Sequence, residues 1–241
     1  MAVTATSLLQ AWEAGAVEAP VDRGPSLLRS LGDVPAGRTL DDLTVGQCDA
    51  RLFNLRRAMF GQGLDVLSTC RVCAAEVELS LNIAELQPAL LDGRMRPVTI
   101  QTGGYEVVCR IPTNEDLRAL AVAGEQATLR DLIERCLLNA SATDGRPAAA
   151  RELPEPVVEA IVEAIAEADP GAQTALLVRC PCGNEWLAEL DIRAIVWSDL
   201  TDWVGRTLTE VHQLAQAYGW SETEILAMSA WRRRWYLEAA G

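Results

Sequence analysis

Four of the seven cysteines in this 241-residue chain fall in two close pairs, Cys70-Arg71-Val72-Cys73 and Cys180-Pro181-Cys182, more than a hundred positions apart. This arrangement constrains the fold more than any other feature. A tight turn holding two thiolates, facing a second such turn, supplies the four-sulfur tetrahedron that zinc prefers. If Cys70, Cys73, Cys180 and Cys182 share one Zn2+ ion, everything between them is an insertion tied shut by metal, and closing so long a loop stabilises the fold. Two other readings stay open, a degenerate ribbon without metal and a redox-active pair. The redox reading requires a lowered thiol pKa, and the CxxC does not sit at a helix start, where the dipole would provide one.

The sequence around the pairs supports joining them. Counting from the second cysteine of each, offsets 4, 6, 8 and 10 are Val77, Leu79, Leu81 and Ile83 in the first copy. In the second they are Trp186, Ala188, Leu190 and Ile192. Offset 3 is glutamate in both, Glu76 and Glu185, and offset 13 is apolar in both, Leu86 and Ile195. The two-residue apolar repeat is that of a half-buried strand. Two knuckles followed by strands in the same register point to a pseudo-symmetric ribbon. The second pair has one intervening residue instead of two, and the first lacks the glycine that commonly follows such a knuckle.

Composition sets outer bounds. A formal net charge of −13 and a hydrophobic content of 49% describe an acidic chain able to build a core. Such a surface repels phosphate backbones and anionic lipid, so nucleic acid and membrane are not expected partners. No apolar run is long enough for a membrane span, and the stretch ahead of Glu13 has no basic residue of the kind that opens a secretory signal. The expected setting is a soluble protein in reducing cytoplasm, where paired cysteines more often bind metal than each other.

Periodicity places helices at about 8–15 and 49–60, the second with Arg51, Arg56 and Arg57 on its polar face and Gly61 and Gly63 at its end. Pro20, Gly24 and Pro25 suggest a looser stretch between them. Strands are expected at 97–101 and 105–111, joined at Thr102-Gly103-Gly104, with a helix opening at Thr113 and resuming to about Leu138. Residues 139–153 read as an exposed loop and 155–168 as an amphipathic helix. Strands at 174–179 and 185–192 flank the second cysteine pair. Near the C-terminus Leu208, Val211, Ala215 and Tyr218 share a helical face, and Ser221 with Glu224 forms a capping box.

Other chemistry is sparse. Cys109 and Cys136 fall on apolar faces as small buried hydrophobes, and Cys48 is similar. The one histidine, His212, gives no Cys-His or Ser-His-Asp arrangement a base to spare, and no GxxxxGK[ST] phosphate loop follows Gly103-Gly104. The expectation is a protein that is not an enzyme. The final helices carry Trp220, Trp231, Arg232, Arg233, Trp235 and Tyr236, residue types that favour interface centres. An α-hairpin with Ile225, Met228, Trp231 and Trp235 packed inward and its arginines in water is the plainer expectation for this segment. A partner-docking surface is the second, and a DNA-reading helix pair the third.

Several runs carry a family resemblance. They are Leu8-Leu9-Gln10-Ala11-Trp12-Glu13, Val45 to Leu52 continuing to Phe60-Gly61, the first knuckle, Pro112 to Leu117, and Cys180-Pro181-Cys182-Gly183 with Trp186. The C-terminal run is the fullest: Val211 to Ala215, Tyr218 to Glu222, Ile225-Leu226, Arg232-Arg233 and Tyr236-Leu237. Together, over nearly the whole chain, they resemble the baseplate and baseplate-hub assembly proteins of contractile-tailed phages, T-even type, and of related phage-tail-like injection systems. The resemblance implies a cysteine-ribbon protein that acts in baseplate assembly in the cytoplasm of the producing bacterium, either built into the tail particle or released from it. Its implied partners are other baseplate and tail proteins. The shortened second knuckle departs from the CPxCG usual in that family.

The expected fold is α+β, a small antiparallel sheet bearing a split four-cysteine zinc ribbon surrounded by helices. Its segments are an N-terminal helical part (1–69), a first knuckle half with hairpin (70–111), a helical insertion (112–173), a second knuckle half (174–196) and a C-terminal helical hairpin (197–241). A zinc-ribbon regulatory protein contacting nucleic acid is the alternative function.

Overall fold

The computed structural model describes residues 3–86, 93 and 95–240. The chain is mixed α+β. First come α1 (Ala5–Ala16), α2 (Pro20–Ser30), α3 (Val45–Phe60), β1 (Gly63–Thr69), β2 (Glu76–Asn82) and the short α4 (Ile83–Leu86). Then follow β3 (Val98–Thr102), β4 (Tyr105–Cys109), α5 (Asn114–Ala123), α6 (Leu129–Cys136), β5 (Leu137–Ala142) and α7 (Glu155–Ala168). The last elements are β6 (Ala175–Arg179), β7 (Glu185–Glu189), α8 (Ile192–Tyr218), α9 (Glu222–Leu226) and α10 (Ala230–Ala240). They group into two compact units, Met1–Asp33 with Arg193–Gly241, and Val34–Ile192.

The first, terminal unit is helical. Thr4 caps α1 through the Ser7 N–H, and Ser7 returns the bond, so Ser7 completes the capping box as its third helical residue. Gly15 lets α1 approach α8: a Cβ there would lie 2.7 Å from the Trp197 ring. Trp12 Nε1 donates to Thr201 Oγ1 at 3.1 Å, and the Arg23 guanidinium lies 4.9 Å above Trp197. The stretch with Pro20, Gly24 and Pro25, expected to be loose, is helix. Pro20 opens α2, where a missing N–H costs nothing, and Gly24, Pro25 and Ser26 are buried, so packing overrides their weak propensity. On α8 the buried line is Val204, Thr207, Val211 and Leu214, whereas Leu208 is 42% exposed.

The second, central unit is built on the three-stranded antiparallel sheet β3-β4-β5. Gly103 and Gly104 take φ values of +57° and +80°, the left-handed pair a two-residue hairpin turn needs. α7 lays Val157, Val158 and Ile161 across this sheet onto Ile100, Val107 and Cys109. Residues expected to finish a helix and begin a loop instead form β5, paired with β4. Ala140, Ala150 and Leu153 bury themselves in the same core.

The expected helix at 49–60 begins at Val45, and it is enclosed: Arg51 and Arg56 are buried, which corrects their placement on a polar outer face. Arg56 donates to the Gly61 and Gly63 carbonyls and so holds the turn into β1. The N-terminus of α3 is fixed from far along the chain. Asp169 accepts from the Gly46 N–H at 2.9 Å and from the Thr44 hydroxyl at 3.1 Å, completing the Thr44–Gln47 capping box. A Cβ at Gly46 would stand 2.3 Å from Asp169 Oδ1.

Candidate metal centre

Two small antiparallel hairpins in the central unit carry the cysteine pairs at their tips. The first is β1-β2, in which Thr69 pairs with Glu76, and the second is β6-β7, in which Arg179 pairs with Glu185. Strand β1 lies in a segment expected to be helical, so the first knuckle joins two strands, as the second does. The shared register extends to the strand ends: at offset 10, Ile83 and Ile192 are both buried and both begin a helix.

The knuckle turns differ by one residue and close in parallel ways. Cys70 N–H donates to the Ala75 carbonyl and Ala74 N–H to the Cys70 carbonyl, each at 2.9 Å. In the shorter turn Cys180 N–H donates to the Asn184 carbonyl and Gly183 N–H to the Cys180 carbonyl, each at 2.9 Å. In both, the residue after the second cysteine takes positive φ, +57° at Ala74 and +92° at Gly183. The missing glycine is thus a real departure: alanine occupies a left-handed site that glycine would fill without strain.

The hairpin tips meet. Cys70 Sγ lies 3.8 Å from Cys182 Sγ, Cys73 Sγ lies 3.5 Å from Cys180 Sγ, and all four sulfurs fall within 4.8 Å of one another. Sulfurs about 2.3 Å from a shared zinc ion at tetrahedral angles would be about 3.8 Å apart. The four cysteines are therefore positioned for a metal site. The first cysteine of each pair is buried and the second exposed. Cross-hairpin support comes from Asn184 Nδ2 to Cys70 Sγ at 3.6 Å and Trp186 Nε1 to Ser68 Oγ at 3.3 Å.

The cluster's electrostatics favour a cation. The Cys73 backbone N–H, joined by that of Val72, outweighs burial and holds the Cys70 thiol down at about 6. At Cys180 the Cys182 N–H acts downward, but burial and the other cluster sulfurs outweigh it and push the thiol up to about 12. Four adjacent sulfurs cannot all carry charge in each other's company. A dication would relieve that conflict and keep all four deprotonated.

The remaining singled-out residues lie elsewhere. Cys48, Cys109 and Cys136 are buried, and desolvation pushes Cys109 up to about 11 and, as its largest cause, Cys136 up to about 12, which suits inert packing groups. His212 is exposed on α8 in the terminal unit and is not part of the cysteine cluster.

On α10 the expected packing is inverted. Trp231 is 73% and Trp235 53% exposed, while Arg233 is buried, donating to Glu210 Oε2 at 2.8 Å and to the Met228 carbonyl at 2.9 Å. That ion pair with α8 offsets the desolvation of the guanidinium and turns the helix so that its tryptophans face outward. Arg233 is therefore withdrawn from the expected docking set, and Arg232 remains exposed. Trp220 stacks on Tyr218 at 4.5 Å, with Tyr236 edge-on to both rings.

One polar centre escaped the sequence reading. Asp116 is 1% exposed and gathers Arg110, Arg135 Nε at 3.0 Å and the Thr113 N–H at 2.9 Å. Burial acts to raise its pKa, but these donors hold it down at about 2. The Thr-x-x-Asp capping spacing was its only signal.

No protein-family model, curated protein or solved structure matches the chain. Among the described residues no helix is long and apolar enough to cross a membrane.

Proposed function

We propose that this chain is a non-enzymatic structural or assembly protein of a contractile tail baseplate, fastened by one structural zinc ion and docking to other tail proteins. The observation that carries the zinc assignment is the four-sulfur set: Cys70, Cys73, Cys180 and Cys182 bring four ligand atoms within 4.8 Å of one another. Catalytic zinc sites characteristically keep one position for water or substrate, whereas four thiolates leave none.

The tail context rests on the resemblance of the runs quoted above. Several of them include structure-defining residues, among them Gln47, Thr113 and Ser221 of the capping boxes and the Cys180 knuckle. Such residues maintain a fold and need no reaction to explain them. The docking surface would centre on exposed Trp231 and Trp235 with Arg232, bordered by the Trp220–Tyr236 cluster.

Two measurements test the reading. Metal analysis of protein purified without added metal should return one zinc per chain. Mass spectrometry of purified tails, with a gene deletion, should find either the protein in the particle or tails that stall without it. Normal tails from the deletion strain would refute the tail role.

A further inference from the structure

The central unit holds an apolar cavity of about 490 Å³ that plays no part in the metal centre. Its walls are Leu117 of α5, Leu129, Leu132 and Ile133 of α6, and Val162 and Ile165 of α7. The size falls within the range of pockets that bury ligands, roughly 300–1,000 Å³. Asp169 also borders it, but its carboxylate is engaged by Gly46 and Thr44 and offers the cavity little polarity. At the mouth, Leu129 is 49% and Val162 38% exposed.

Charge defines one side of the mouth. Glu155, Glu159, Glu163 and Glu167 recur every fourth residue and form one row along α7. Glu155 pairs with Arg130 at 2.8 Å, while Glu159, Glu163 and Glu167 are exposed with no ion pair among the described residues. At 100° per residue, Val162 and Ala166 lie between Ile165 at the cavity wall and this glutamate row. An apolar slot beside a row of unpaired carboxylates is complementary to one kind of surface.

We propose that this cavity is a docking site for a basic amphipathic helix of another protein. Large aliphatic or aromatic side chains would enter between α6 and α7, and lysines or arginines at four-residue spacing would lie along Glu159, Glu163 and Glu167. The proposal concerns a surface other than the α10 patch described above, and its test does not depend on the tail context. A failed particle experiment leaves it standing, and a failed titration leaves the tail reading standing.

The test is a fluorescence-anisotropy titration of the full chain with a labelled synthetic 18-residue peptide of leucine and lysine, patterned as an amphipathic helix. The expected result is salt-dependent binding, weakened by about tenfold or more in Glu159→Lys/Glu163→Lys/Glu167→Lys. Ala166→Trp, which places an indole at the mouth, should block binding, as should Leu129→Ser, each with the melting curve retained. Reversal of Glu76, Glu78 and Glu185 to lysine, on the hairpins of the same unit, should leave binding within about twofold. Equal weakening by both sets of reversals would reduce the effect to general attraction by an acidic chain and overturn the proposal. Unchanged binding in both Ala166→Trp and Leu129→Ser would do the same. So would equally tight binding of a peptide copying residues 229–241, together with dimers in sedimentation, since the occupant would then be a second copy of this chain.

Discussion

If the four cysteines hold the proposed zinc, stripping it should unfasten the two hairpins and leave the three-stranded sheet standing. Cys70 and Cys182 are separated by 112 positions and Cys73 and Cys180 by 107, so one ion would close a loop of that length. The chain-entropy cost of such a closure, worked out for disulfides, is about 4.7 kcal/mol for a loop of roughly 100 residues. Two-stranded hairpins are marginal alone, so that constraint falls mainly on β1-β2 and β6-β7. The core between α7 and β3-β4-β5 contains no cluster cysteine and needs no cross-link. After chelation, hydrogen exchange should therefore speed up by about three orders of magnitude at hairpin amides (4.7 kcal/mol at 1.36 per decade) and much less at β4. The mutants should behave as one device: if three thiolates hold the ion too weakly to keep it, Cys70→Ser should cost nearly the whole amount, and adding Cys180→Ser little more. Unchanged hairpin protection in protein shown to be metal-free would refute the closure argument, as would fully additive serine substitutions.

Three further outcomes follow from local geometry. Ala74→Gly should stabilise the central unit by about 0.5–1 kcal/mol, because relief of a left-handed alanine exceeds the entropy glycine adds to the unfolded chain; Gly183→Ala should cost about 1–2 kcal/mol, both read by denaturant melts. The folded pKa of Asp116 is depressed to about 2, so its contribution is complete above the unfolded carboxylate range near 4 and is lost as pH falls through about 2. Asp116→Asn should cost about 2 kcal/mol at neutral pH and flatten the acid limb of the stability profile between about pH 4 and 2. Alkylation near neutral pH should leave metal-loaded protein largely unmodified, and after chelation it should mark exposed Cys73 and Cys182 first. Cys48, Cys109 and Cys136 should react only on unfolding, and early labelling of Cys109 or Cys136 would contradict their burial.

The meeting of the four clustered cysteines was legible because its signal is short in range and repeated. Each thiolate pair is a few residues long, and the shared offsets from Val77 and Trp186 onward advertise equivalent hairpins. The same symmetry run backwards would have exposed β1: Val66 and Ser68 precede Cys70 as Leu176 and Val178 precede Cys180, on a strand whose adjacent Val66 and Leu67 spoil the alternation. Where the deciding group lies far away in sequence, the local pattern misleads. Leu137-Leu138-Asn139-Ala140 reads as a helix running into a loop until β4 offers it a partner. Three consecutive arginines beside two tryptophans leave the inward face of α10 undecided, and the choice is made by Glu210 on α8, whose carboxylate accepts from buried Arg233. Asp169 shows the same logic: among 34 acidic residues nothing marks it, yet it closes the N-terminus of a helix 123 positions away. A buried charge is affordable only where its partner has already been placed by the rest of the fold. Such pairs are consequences of tertiary structure, and for that reason they could be found only once the chain was folded.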